Sequence, residues 1–120
     1  MTKRLIEITS SAILVASVTG IAPAQARPWL YVSAFSYGGS GEACLTKARE
    51  ALRKHGFTQG LEIDRFNSGE GGHVSGKMPG SAVLAKIECD QGLGVTALAV
   101  SGLDNDITYK KYSDLFDSKW

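Results

Sequence analysis

The chain has 120 residues, 13 basic and 12 acidic, for a formal net charge of +1, and only two cysteines and two histidines. That length holds one domain. The near-neutral balance excludes the basic footprint expected of a nucleic-acid binder and the polybasic segment expected of a protein held at an anionic membrane.

The first 26 residues read as a secretory signal peptide. Lys3 and Arg4 give a positive start, and "AILVASVTGI" from Ala12 to Ile21 is a short apolar run. Ala24-Gln25-Ala26 is then a small-x-small cleavage site. A membrane span needs about 20 apolar residues, and this run is about half that, broken by Ser17, Thr19 and Gly20. The expectation is a cleavable signal (1–26) and one mature domain (27–120), periplasmic or secreted, with no membrane insertion after cleavage. Removing 26 of 120 residues leaves 94, with 11 basic and 11 acidic, so the mature domain is formally neutral.

Trp29 to Tyr37, "WLYVSAFSY", is aromatic, β-branched and alternating, and predicts a strand. Gly38-Gly39-Ser40-Gly41 breaks it, and Ser40 is placed to cap a helix with Glu42 in its first turn. Cys44, Ala48, Ala51, Leu52 and His55 then form one face of an amphipathic helix that Gly56 ends. His55 is expected to meet helix-end carbonyls. Leu61–Phe66 predicts a second strand. Asn67–Gly80 reads as a glycine-rich connection with room for one short extra strand. Ser81–Asp90 and Val95–Ser101 predict two strong strands joined by Gln91-Gly92-Leu93-Gly94. Asp104 or Asn105 caps a last helix with Tyr109, Tyr112, Leu115, Phe116 and Trp120 as its apolar stripe.

This order, β-α-β-β-β-α, predicts a two-layer α+β domain: an antiparallel sheet of about four strands with both helices on one face. Cys44 falls on the apolar face of the first helix. Cys89 shares a strand face with Val83, Ala85 and Ile87. An even cysteine count in an exported chain predicts a disulfide between them. Closing a loop of about 45 residues is worth about 4 kcal/mol in the chain-entropy model. No Cys-x-x-Cys pair is present for redox work.

Two glycine motifs imitate cofactor loops. "GGHVSGKM", from Gly71, has the G-x-x-x-x-G-K spacing of a phosphate loop. Met78 cannot hold Mg²⁺, however, and Pro79-Gly80 with a strand follows where a helix should begin. Gly39-Ser40-Gly41-Glu42-Ala43-Cys44 imitates a dinucleotide fingerprint, with Glu62 about twenty residues on, but Cys44 replaces its third glycine. Asp104-Asn105-Asp106 starts like a calcium loop and lacks its glycine and distal glutamate. No cofactor or metal is therefore expected.

His73 is the candidate for chemistry, because it sits among glycines that allow close approach and because histidine as a residue type can act as a base or ligand. Ser75, Asp64, Glu70 and Asp90 are its candidate partners. Ser75 and Lys77 join it as a candidate ligand-binding set, with Gly39 and Ser40 as a second, at a helix start suited to an anion. The Tyr109, Tyr112, Phe116 and Trp120 stripe suits core packing first and a carbohydrate or peptide platform second.

The signal peptide, tyrosine-rich first strand, cysteine-bearing helix and Gly-Gly-His turn together resemble a group of small exported bacterial proteins of unknown function. That resemblance carries over no site residues. Three function classes remain open. The leading one is a non-catalytic, disulfide-stapled module binding a protein or small molecule. The second is a small hydrolase or lyase using His73 with a carboxylate or Ser75. The third is an envelope structural or inhibitor protein acting through a flat surface or sheet edge. The sequence sets no oligomeric state.

Overall fold

A computed structural model describes residues 27–118. The signal-peptide reading, and the reading of Trp120 as part of the last helix's stripe, lie outside the described residues. The elements are β1 (Trp29–Ser36), α1 (Gly41–Lys54), β2 (Gln59–Arg65), β3 (Gly71–Lys77), β4 (Val83–Asp90), β5 (Val95–Gly102) and α2 (Asn105–Phe116). The strands form one antiparallel sheet in the order β1-β5-β4-β3-β2. The chain starts at one edge with β1, and α1 carries it to the far edge. A four-strand meander then returns, so that β5 closes beside β1.

The sheet has five strands, and the element order is β-α-β-β-β-β-α, correcting the expected four-strand order. The added strand is Gly71–Lys77, the segment whose glycines suggested a connection. Its glycines serve close backbone approach. Gly71 adopts φ +131°, and a Cβ there would lie 1.9 Å from the Cys89 carbonyl oxygen. A Cβ on Gly76 would lie 2.6 Å from the Phe57 carbonyl oxygen. Glycine inside a strand marks this kind of approach as often as a turn. Val74, between them, is fully buried.

Alternation sends Val83, Ala85, Ile87 and Cys89 of β4, and Thr96, Leu98 and Val100 of β5, into the helix layer. Cys44, Leu45, Ala48, Ala51 and Leu52 of α1 close over them, with Phe57 and Leu115 completing the core. The predicted disulfide is present: Cys44 and Cys89 are bonded with their Cα atoms 6.1 Å apart, tying α1 to β4 through the core. Both predicted caps form as well. Ser40 Oγ accepts from the Ala43 amide at 3.1 Å, and Asp104 Oδ1 accepts from the Ile107 amide at 2.9 Å. Gly56, at φ +92°, follows the end of α1.

The stripe on α2 departs from expectation. Leu115 is fully buried and Tyr112 partly so, while Tyr109 and Phe116 are half exposed. The helix lies over β5 and β1, and β1 is the last strand of the sheet. Among the described residues no further strand covers the outer rings. They pack instead on the aromatics of β1: Tyr31 stacks on Tyr112 at 5.6 Å and meets Tyr109 edge-on at 5.3 Å, and Phe35 meets Phe116 edge-on at 6.4 Å.

Candidate functional site

The period of two along β3 divides its side chains between the layers. Gly72, Val74 and Gly76 face the helices, while His73, Ser75 and Lys77 face the open side of the sheet. In register, His73 stands between Asp64 on β2 and Glu88 on β4, and Ser75 between Glu62 and Lys86. His73 Nε2 lies 3.2 Å from Asp64 Oδ2. Of the candidate carboxylates, Asp64 is therefore the partner. Asp90 accepts from the Leu93 amide at 3.1 Å, shaping the β4–β5 turn, and Glu70 sits in the β2–β3 turn with its carbonyl accepting from the Gln91 amide.

Gly39 and Ser40 lie in the helix layer, on the other side of the sheet, so the two predicted ligand sets do not form one site. Ser40 is engaged as the cap of α1. Glu42, in the first turn, adds a negative charge beside the helix start and accepts from Arg65 Nε at 3.1 Å. That hydrogen bond holds the Glu42 carboxyl below its ordinary value.

A histidine–carboxylate pair can pass a proton, but nucleophilic catalysis also needs a hydroxyl or thiol bonded to the histidine. The close polar approach of His73 is to Asp64, as an ion-pair contact, and not to Ser75. Four cavities, of about 730, 440, 370 and 330 Å³, have neither His73 nor Ser75 in their walls, and Lys77 borders the last of them with Gln59, Gly80, Ser81 and Ala82.

One of them, about 730 Å³, is a groove between the C-terminal ends of α1 and α2, lined by Lys47, Glu50, Lys54, His55, Asp114 and Ser118 among others. His55 Nε2 is 2.9 Å from Ser118 Oγ. Ser118 Oγ donates its one proton to the Asp114 carbonyl at 2.8 Å, so His55 Nε2 is the donor to Ser118. A base activating a serine needs the reverse polarity. The contact is a clasp between helices. The His55 ring, expected to meet helix-end carbonyls, bonds Ser118 instead, and Lys111 Nζ donates to the His55 carbonyl at 3.0 Å. His55 and Ser118 lie too far apart in sequence for spacing to have paired them.

The open face divides into two halves. One row across the strands reads Val32, Ala99, Lys86, Ser75, Glu62, and the next Ala34, Ala97, Glu88, His73, Asp64. The β1–β5 half is apolar and the β2–β4 half ionic. Between them Val32, Ala34, Ala97 and Ala99, bordered by Lys86 and Glu88, floor a depression of about 370 Å³. Leu30 and Val32 are each 63% exposed, and Trp29 is half exposed. Tyr109 and Phe116 on α2, packed against Tyr31 and Phe35, add half-exposed rings at the same β1 edge. Sequence reasoning missed this surface, because an apolar alternating strand reads the same whether or not its outer face is covered.

No family model, curated protein or solved structure matches the chain. Function must therefore be read from these surfaces. Among the described residues, no three His, Cys, Asp or Glu side chains converge as a metal site, and no helix is long and apolar enough to cross a membrane.

Proposed function

We propose that this chain is an exported, disulfide-stapled, non-catalytic interaction module that binds through the apolar half of its open sheet face and the adjoining β1 edge. The observation that carries this reading is that exposed Leu30, Val32 and Ala34 of β1 run on into half-buried Ala97 and Ala99 of β5 on one sheet face. A soluble domain this small has little core to spare, and a large exposed apolar patch marks an interaction site. The three alanines keep the floor shallow, suiting a flat partner surface, and Lys86 and Glu88 at its border supply orientation. A structural or inhibitory role in the envelope is a special case of the same reading. Export is supported by the Lys3–Ala26 pattern and is compatible with the disulfide.

The His73–Asp64 pair is what favours the hydrolase or lyase alternative, and it decides the test. The purified mature domain is incubated with a panel of nitrophenyl esters, glycosides and phosphates. The expected result is no rate above buffer, with no difference on His73→Ala. Turnover that His73→Ala removes would overturn the proposal.

A further inference from the structure

The two edges of the sheet are built differently. β2 carries Glu62, Asp64 and Arg65, and its pairing is interrupted by an irregularity between Gln59 and Glu62. Charges and bulges of this kind keep an edge strand from pairing with another chain. β1 has neither. Its eight residues, WLYVSAFS, hold no charge and no proline, and they pair with β5 in unbroken register.

The phase of β1 also follows from the hydrogen bonding. The Tyr37 amide donates to the Gly94 carbonyl at 3.0 Å, continuing the β1–β5 register. Antiparallel pairs alternate between bonded and non-bonded. The odd-numbered residues of β1 thus bond inward to β5, and Leu30, Val32, Ala34 and Ser36 turn their amides and carbonyls to the free edge.

We infer that β1 pairs antiparallel with β1 of a second copy about a two-fold axis centred on Ser33, forming a continuous ten-stranded sheet. This inference deepens the interaction reading by naming the partner of that edge. In this register Leu30 bonds to Ser36 of the second copy and Val32 to Ala34, so every outward amide and carbonyl of the strand is used. A shift of two residues in one direction sets Ser36 against Pro28, which has no N–H. The opposite shift sets Leu30 against Gly38, beyond the strand.

An independent observation marks the same axis. Ser33 Oγ is buried and has no hydrogen-bond partner. Buried polar groups are normally satisfied. In the two-fold register, Ser33 faces Ser33 of the second copy in a non-bonded pair, the arrangement that brings side chains closest. Ser33 as a residue is only half-buried, so rotation about its χ1 carries each enclosed hydroxyl to the edge, where the two orphans become partners. On the helix side Tyr31 meets Phe35 of the second copy, and the exposed rings of Tyr109 and Phe116 lie where the two α2 helices approach. On the open side the apolar halves join as one floor, with the ionic strands at both ends.

Sedimentation equilibrium of the mature domain, disulfide intact, tests this. The expected result is a dimer whose dissociation constant rises by about tenfold or more on Val32→Lys, an exposed edge position that tolerates the change within one copy. Ser33→Cys is expected to crosslink into a covalent dimer under mild oxidation, and Leu30→Cys is not, because the two copies of residue 30 lie at opposite ends of the paired strands. A monomer at every concentration overturns the inference, as does a dimer indifferent to Val32→Lys that fails to crosslink through Ser33→Cys. A monomer leaves the interaction reading standing, and turnover lost in His73→Ala overturns that reading while leaving the dimer untouched.

Discussion

His55 Nε2 and Ser118 Oγ, 63 residues apart in the chain, meet at 2.9 Å and join the C-terminal ends of the two helices. The contact is half sheltered, and burial is the main influence pushing the His55 pKa below its ordinary value of 6.5. Asp114 opposes this, while Lys111, Lys54 and Lys110 reinforce it.

A pH dependence of stability follows, and its sign is fixed by that direction. The folded state holds the neutral ring, so near neutrality it binds fewer protons than the unfolded chain. The contribution is fully present above the unfolded value of 6.5 and is lost as pH falls through the lowered folded value. Thermal unfolding is expected to show Tm falling across this window, with a shallower fall in His55→Gln. Equal slopes in the two proteins would show that another group is responsible.

The Cys44–Cys89 bridge predicts a large effect of reduction. Both cysteines are fully buried, and the bridge closes a loop of 45 residues. Cys44→Ala combined with Cys89→Ala is expected to cost about 2–5 kcal/mol of unfolding free energy in urea titration. Reductant should act slowly on the native protein and quickly in denaturant, because the bridge must first be exposed.

A glycine on β3 and one outside it should respond differently to alanine. Gly76→Ala drives a methyl toward the Phe57 carbonyl and is expected to destabilise by about 1–3 kcal/mol. Gly38→Ala meets nothing within 4 Å and is expected to stay within about 0.5 kcal/mol of the parent. Comparable losses at both sites would contradict the placement of β3 against the loop that follows α1.

These glycines also explain what could and could not be read from the sequence. The strands β4 and β5, the helix α1, both caps and the disulfide were legible, because alternation, helical spacing and short-range capping are local signals. β3 showed only as room for one short extra strand, because its packing depends on missing side chains: Gly72 and Gly76 remove the apolar residues that would have displayed its period. The exposure of Tyr109 and Phe116 was hidden because periodicity reports a face and not how much sheet lies beneath it. Of the candidate site, His73, Ser75 and Lys77 share a face as their spacing requires. The choice of Asp64 over Glu70 and Asp90 needed the β2–β3 register, and the separation of Gly39 and Ser40 from that set needed the sheet between them.

The His73–Asp64 pair offers the sharpest remaining test of the non-catalytic reading. Asp64 is 67% exposed, and its 3.2 Å contact with His73 lies on an open sheet surface. Ion pairs in such settings contribute about 0–1 kcal/mol, since water screens them and holding two side chains in place costs entropy. A double-mutant cycle with His73→Ala and Asp64→Asn is expected to give a coupling energy below about 1 kcal/mol near neutral pH. It should weaken further with added salt. A dyad organised for proton transfer would be held by more than this one contact. A coupling well above that bound, insensitive to salt, would show that the pair is sheltered in solution and would return His73 to the centre of the functional question.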